Sequence, residues 1–160
     1  MMRHVLSFLI VFSVLISSAN ANHENVVDKI LSEKETPSGV VIEIVSRQNQ
    51  FLDWALPEAQ KQAKRIREKF PGLDIAIVTH GREQFTLMVN NKAENTVVHS
   101  LAEQLGKQDN ITIHVCGTLA ERKNVSPSEF PAYIDVAAAG PAQINDYLKL
   151  DYVLVKIKPH

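Results

Sequence analysis

Residues 111–119 read I-T-I-H-V-C-G-T-L, and this stretch decides the fold. Residues 111–116 are mostly apolar or β-branched and too few for a buried helix, so they predict a strand. Thr118 and Glu121 form a T-x-x-E capping box, which predicts that a helix begins at Thr118, close behind the strand. A short apolar strand that leads into a helix is typical of a parallel sheet built from βαβ units.

The same alternation of strand and helix extends in both directions along the chain. Short apolar runs predict four further strands, at residues 40–45, 73–79, 133–137 and 152–157. Amphipathic spacing between these runs predicts helices that cover the sheet. We therefore predict an α/β fold, a three-layer α/β/α sandwich with a mostly parallel five-stranded sheet.

The predicted helices have recognisable starts and ends. We place the start of the first at Pro57, after a long loop, because a proline in the first turn of a helix loses no hydrogen bond. In the following helix, Val97 falls on the apolar face. The other candidate boundary residues are Asn90 and Asn91 as N-terminal caps, Gly106 as a C-cap and Gly140-Pro141 as the start of the last helix.

The N-terminus has the features of a secretory signal peptide. Arg3 supplies the positive charge, residues 5–16 (VLSFLIVFSVLI) are apolar, and residues 17–21 (SSANA) end in the A-x-A pattern of a cleavage site. The apolar run is shorter than the roughly 20 residues of a membrane-spanning helix. We therefore predict a signal peptide at residues 1–21 and a mature protein that is periplasmic or secreted, without a membrane anchor.

The mature chain is expected to consist of two parts. Residues 22–38 form a mostly polar N-terminal arm, in which apolar residues at helical spacing predict a short helix that docks on the domain or on a neighbouring subunit. Residues 39–160 form the α/β domain, which is long enough to enclose a sizeable core.

Composition and motifs exclude several classes of function. The formal net charge is −1 and no basic stripe is present, so nucleic-acid binding has no electrostatic support. No G-x-G-x-x-G or Walker A motif occurs, so nucleotide binding lacks its usual loops, and no cofactor is predicted. The G-x-S-x-G elbow of α/β-hydrolases is also absent from the sequence.

The candidate site lies where the predicted strands end, because ligands of open parallel sheets bind beyond the carboxyl ends of the strands. His80-Gly81 closes the second strand, and Cys116-Gly117-Thr118 closes the third. Cys116 is the only cysteine, so an internal disulfide is impossible. Its position before a helix N-terminus favours the thiolate, which is the nucleophilic form.

The neighbours of Cys116 each have a functional interpretation. Gly117 lets the backbone approach a ligand closely, and His114 points to the same face of the strand as Cys116. Either His114 or His80 could share a proton with the thiol. A weaker alternative is copper or zinc binding by His80, His114 and Cys116, since neither C-x-x-C nor H-x-x-x-H occurs.

Ordinary structural interpretations remain open beside these functional ones. Cys116 is also explained as a buried inert thiol, because free cysteine is among the most buried residue types. His114 fits a hydrogen-bonded core histidine, and His80 next to Gly81 fits a turn residue.

Taken together, these motifs resemble the DsrE/DsrF-like proteins, in particular the exported members with a single domain. The resemblance covers residues 40–158. It is carried by His80-Gly81, by residues 111–119, by the turn at 126–130, by I-D-V-A-A-A-G-P at 134–141 and by D-Y-L-K-L-D-Y-V-L-V-K-I at 146–157.

The resemblance implies a three-layer fold with a parallel sheet and self-association, commonly as trimers or hexamers. It also implies a sulfur relay with donor and acceptor proteins, in which a cysteine after the third strand carries sulfane sulfur as a persulfide. Cys116 falls on that position. The site expected from this reading has Cys116 and His80 as catalytic residues, and Gly81, His114, Gly117 and Thr118 as ligand-binding residues.

Two functions therefore follow as hypotheses. The first is an exported sulfur carrier with a persulfide on Cys116, whether or not it qualifies as a sulfurtransferase. The second is a non-catalytic module of the same fold that binds a small ligand or assembles into oligomers.

Overall fold

The sheet of this protein is parallel throughout. The computed structural model describes residues 21–159. Within them, five strands form one sheet in the order β4-β3-β2-β1-β5. The strands are β1 (Val40–Ile44), β2 (Ile75–Thr79), β3 (Ile111–Cys116), β4 (Asp135–Ala137) and β5 (Val153–Ile157). The predicted α/β fold with a five-stranded parallel sheet is confirmed.

Helices cover both faces of the sheet. They are α1 (Ala21–Ser32), α2 (Leu52–Lys69), α3 (Thr96–Gly106), α4 (Gly117–Glu121) and α5 (Gly140–Lys149). Short 3₁₀ helices lie at Asn49–Phe51, Arg82–Leu87, Val89–Asn91 and Pro127–Glu129. The predicted signal peptide lies outside the described residues except for Ala21, where α1 begins.

The path of the chain decides which face each helix covers. From β1 to β4 every strand is added on the same side of its predecessor, and the chain then returns to place β5 beside β1. Right-handed crossovers therefore put α2 and α3 on one face and α5 on the other. Helix α1 packs on α2 and β5, whereas α5 packs on β1, β2 and β3.

The core is divided unequally between the two faces. The face under α1, α2 and α3 carries the large apolar side chains, among them Ile42, Ile77 and Ile113. The face under α5 has a small cluster of Val41, Ala76, Val78 and Ile144. Because side chains alternate along a strand, Glu43 on β1 and His114 and Cys116 on β3 lie on this second face, whereas Thr79 on β2 lies on the first.

The start of α2 differs from the prediction. The helix begins at Leu52, so Pro57 lies inside it and not at its first position. Leu52, Ala55 and Leu56 are buried, and burial of this additional turn outweighs the hydrogen bond that a proline removes. The long loop predicted before Pro57 is therefore short.

Two predictions about α3 are wrong. Asn95 precedes the helix, and the Asn91 amide instead donates to the Phe85 carbonyl, so Asn90 and Asn91 are not its caps. Val97 is 76% exposed, because the buried face of α3 turns towards Val98 and Ala102.

Strand β4 is shorter than predicted, since it begins at Asp135 and leaves Tyr133 outside. The Tyr133 hydroxyl lies 3.2 Å from Nδ1 of the buried His99. This contact holds Tyr133 on the face of the sheet covered by α2 and α3, where its side chain packs against the larger core.

One negative finding concerns membranes. Among residues 21–159, no helix combines the length and the apolar character that a membrane crossing requires.

Replacement of Ile42 by alanine tests the larger core. Ile42 is fully buried in the central part of the sheet, so Ile42→Ala should lower the free energy of unfolding by about 2 to 5 kcal/mol. Val97→Ser is the control and should change it by less than about 0.5 kcal/mol. Urea denaturation measures both values, and equal losses for the two variants would contradict the assignment of the faces.

Candidate functional site

The ends of β2 and β3 bring two of the predicted residues together beside α5. Gly140, the first residue of α5, lies against both of them. A Cβ atom on Gly140 would lie 2.4 Å from Cβ of His80 and 3.4 Å from Cβ of Cys116. Glycine is therefore needed here for a steric reason, and His80 and Cys116 both border the start of the helix.

A third side chain, Glu43 on β1, joins this site. Its Oε1 atom lies 2.9 Å from Nε2 of His80, and Lys156 on β5 places its ammonium 3.1 Å from Oε2. The lysine is close enough for an ion pair but is not aligned for a hydrogen bond to that oxygen. The side chains of His80 and Glu43 are 14% and 13% exposed, so their pairing takes place largely away from water.

The environment of Glu43 keeps its carboxyl group ionised. Burial alone raises the pKa of Glu43, but the hydrogen bond from His80 and the charge of Lys156 outweigh burial, so the pKa lies below its usual value. Sequence reasoning missed Glu43. The available signal was a carboxylate in the otherwise apolar run VVIEIV, where an unpaired charge would be costly to bury.

Cys116 is fixed through its backbone. Residue Cys116 is 5% exposed. Its N–H donates to Oε1 of Gln84 at 2.8 Å, and Nε2 of Gln84 donates to its carbonyl at 3.2 Å. The fully buried Gln84 amide thus pairs with Cys116 as an adjacent strand would. Within the described part of the chain, the thiol itself makes no hydrogen bond.

The helix that follows Cys116 differs from the prediction. Helix α4 begins at Gly117 and spans only five residues, and the expected capping box does not form. Both the N–H and the hydroxyl of Thr118 donate to the carbonyl of Ala138, at 2.9 and 2.8 Å. Thr118 therefore ties α4 to the segment after β4 instead of capping α4.

Gly117 and Gly81 occupy tightly packed positions. A Cβ atom on Gly117 would lie 2.8 Å from the Ala137 carbonyl oxygen, and one on Gly81 would lie 2.2 Å from the Ser46 carbonyl oxygen. Both glycines let two backbone segments approach each other closely. Their contacts are with the protein's own chain, which accounts for glycine at both positions without a ligand.

Glu83 is a further buried polar residue that sequence reasoning missed. Its carboxylate accepts hydrogen bonds from the Ser46 N–H at 2.8 Å, the Thr79 hydroxyl at 2.7 Å and the Gly81 N–H at 2.9 Å. It joins the ends of β1 and β2 and thereby holds the segment that carries His80. The sequence offered no clear signal, since R-E-Q after His80-Gly81 looks like an ordinary exposed loop.

His114 has a partner of its own. Its Nε2 atom lies 2.8 Å from the Tyr147 hydroxyl on α5, and the two rings pack with centroids 5.7 Å apart. Burial lowers the pKa of His114, although the charge of Asp135 opposes this effect. The interpretation as a hydrogen-bonded core histidine fits this geometry.

The structure does not gather His80, His114 and Cys116 into a metal site. Among residues 21–159, the one group of three with ligand atoms within 4.8 Å of one another is His23, Glu24 and Glu58, on α1 and α2. The ammonium of Lys61 already lies 3.1 Å from Glu24 and 3.4 Å from Glu58. An internal cation thus already pairs with both carboxylates of that group.

An open groove of about 720 Å³ runs beside α4. It begins at Gly117, the residue after Cys116, and continues between α4 and the end of β4, past Val136 and Ala138. Cys116 itself does not line this groove: Val136 packs against the larger core, whereas the Cys116 side chain borders Gly140 of α5 on the other face of the sheet.

Comparison with known proteins identifies the fold only. No family model and no curated protein matches the chain. The protein of unknown function MTH1491 from Methanobacterium thermoautotrophicum is 13% identical, with a TM-score of 0.55 over 75% of this chain and 97% of its own. The conserved protein of unknown function BT1422 from Bacteroides thetaiotaomicron is 21% identical, with a TM-score of 0.43 over 73% and 94% of the two chains. The similarity to MTH1491 supports the α/β fold and carries no activity with it.

Removal of the Gln84 amide tests how Cys116 is held. Gln84→Ala leaves the buried N–H and carbonyl of Cys116 unpaired, so it should lower the free energy of unfolding by about 2 to 4 kcal/mol. Gln104→Ala is the control, because Gln104 is exposed and its side chain reaches only Ser100. Urea denaturation compares the two, and a loss below about 0.5 kcal/mol for Gln84→Ala would contradict the pairing.

The burial of His114 predicts a dependence of stability on pH. Because the pKa of His114 is lowered in the folded protein, the unfolded chain takes up the proton first on acidification. The contribution of neutral His114 to the free energy of unfolding is complete above about pH 6.5, and it is lost as the pH falls through the lowered pKa of the folded protein. His114→Gln should therefore lose less stability than wild type between about pH 7.5 and about pH 5.5 in urea denaturation. Equal losses in both proteins would contradict this.

Proposed function

We propose that this protein is an exported sulfur carrier, in which the Cys116 thiol accepts a sulfane sulfur and holds it as a persulfide. The observation that carries the proposal is the Glu43–His80 pair beside Cys116, at the carboxyl ends of three neighbouring strands. A thiol becomes nucleophilic when a nearby base takes its proton, and an imidazole oriented by a carboxylate is such a base.

The transfer is chemically balanced with an inorganic donor such as thiosulfate. The Cys116 thiolate attacks the outer sulfur of the donor, and a new S–S bond forms. The bond between that sulfur and the sulfite group breaks, and sulfite leaves with the bonding electrons. The product is a persulfide anion, which a second thiolate can attack at its outer sulfur to carry the sulfur away.

The surroundings of Cys116 suit a persulfide. The residue is 5% exposed, so solvent and oxidants have little access to the sulfur. The resemblance to DsrE/DsrF-like proteins supports the same role, because their persulfide cysteine also follows the third strand.

Export and self-association belong to this proposal. The signal-peptide pattern predicts a location outside the cytoplasm, where a single unpaired thiol needs protection from oxidation. The resemblance implies trimers or hexamers, and donor and acceptor proteins as partners.

A second candidate function is a non-catalytic binding or assembly module. It is favoured by the internal packing of the predicted ligand-binding residues. Gly81 and Gly117 approach the protein's own backbone, Thr118 bonds to Ala138, and His114 bonds to Tyr147. In this reading Cys116 is a buried apolar residue and the groove beside α4 is the binding surface.

Mass spectrometry of the intact protein tests the carrier function. After incubation of the reduced protein with thiosulfate or polysulfide, wild type should gain one sulfur atom that a reducing agent removes. Cys116→Ser is the matched control and should gain none. Absence of the added sulfur on wild type, or the same addition on the Cys116→Ser variant, would rule the carrier function out and leave the binding module as the better interpretation.

A further inference from the structure

The contact between Glu43 and His80 determines the tautomer of the imidazole. An ionised carboxylate only accepts hydrogen bonds. Since Oε1 of Glu43 lies 2.9 Å from Nε2 of His80, the proton of that bond must reside on Nε2. The neutral ring then carries its lone pair on Nδ1. In the described part of the chain, Nδ1 of His80 has no hydrogen-bond partner.

The register of the strands brings this free nitrogen to the end of β3. Thr79 pairs with Val115, so the next residues along the two strands, His80 and Cys116, are neighbours. Both border Gly140, and both extend from the face of the sheet that carries Glu43. Glu43, His80 and Cys116 thus follow one another across β1, β2 and β3.

We propose that Glu43 is a positioning residue, which fixes His80 in the Nε2–H tautomer so that Nδ1 receives the proton of the Cys116 thiol. This inference rests on the proposed function and identifies the Glu43–His80 pair as the group that activates the Cys116 thiol. In the step, the S–H bond breaks and its electron pair stays on sulfur. The proton binds to Nδ1, and the resulting imidazolium keeps its Nε2–H bond to the Glu43 carboxylate.

Lys156 supports this role of Glu43. Its ammonium pairs with Oε2 and leaves Oε1 for the imidazole, so the two oxygens have separate partners. The ion pair also helps to keep the carboxylate ionised, which it must be to act only as an acceptor.

Two other titratable groups near this region have hydrogen-bond partners of their own. His114 is bonded to Tyr147, and Glu83 is bonded to Ser46, Thr79 and Gly81. Glu43 on β1 contacts His80 directly, and the elements around the two residues also carry His114 on β3, Asp135 on β4, Lys156 on β5, Tyr147 on α5 and Glu83 after β2.

The pH profile of Cys116 alkylation by iodoacetamide tests the inference without any sulfur donor. Glu43→Leu removes the acceptor and places an apolar side chain in an apolar strand. It should move the profile to higher pH by about one unit, which makes alkylation about tenfold slower at pH values below the inflection. His80→Gln should produce the same displacement. The double variant with Glu43→Leu and His80→Gln should add nothing to it, because each change already disrupts the Glu43–His80 pair.

Two further variants separate positioning from a general effect of charge. Glu43→Gln retains an oxygen that accepts a hydrogen bond but lacks the charge, so its profile should lie between wild type and Glu43→Leu. Glu103→Gln makes the same change of charge at a residue that pairs with Lys107 on α3 and should leave the profile unmoved. A residue with a merely structural role would lower stability without displacing the profile.

The nitrogen chemical shifts of His80 give an independent test on the wild-type protein, which needs no variant to fold. They should show the proton of the neutral ring on Nε2. A proton on Nδ1, or an unmoved alkylation profile in Glu43→Leu, would overturn the inference.

The two proposals fail in different ways. Sulfur loading on wild type together with an unmoved alkylation profile in Glu43→Leu would refute the role of Glu43 and keep the carrier function. A displaced profile without sulfur loading would refute the carrier function and keep the role of Glu43, since alkylation reports only the activation of the thiol.

Discussion

The site of this protein depends on one steric constraint, the approach of α5 to the ends of β2 and β3. The chain adds β1 to β4 in one direction and returns to β5, so a right-handed connection places α5 on the second face of the sheet. Its first residue, Gly140, lies so close to His80 that any side chain there would collide with the histidine. The same approach brings the start of the helix against Cys116.

Buried polar groups divide into two kinds in this fold. Glu83 and Gln84 use their hydrogen-bonding capacity on the backbone of the strand ends, and they replace strand partners where the ladder stops. Glu43 bonds to His80, whose second nitrogen has no hydrogen-bond partner among residues 21–159. A polar group satisfied by backbone stabilises a shape, whereas one that holds another titratable side chain controls where a proton resides.

Much of the fold was accessible to sequence reasoning because strands and helices have strong local patterns. Strand β3 was predicted with its observed bounds, and Gly140 was identified as the start of α5. Pro57 and Val97 were misplaced, since the packing of Leu52 and Ala55 extended α2 and the orientation of α3 exposed Val97. The capping box at Thr118 failed because the Ala138 carbonyl, distant in sequence, took its donors.

By itself, the sequence determined the alternation of strands and helices, the position of Cys116 at a strand end and the presence of His80 at the neighbouring one. These follow from local periodicity and from the common edge that parallel strands share. Only the tertiary structure decided the strand order, the pairing of Glu43 with His80, and the internal use of Gly81, Gly117 and Thr118. The physical reason is that these contacts join residues far apart in the chain, and register and packing alone bring them within hydrogen-bonding distance.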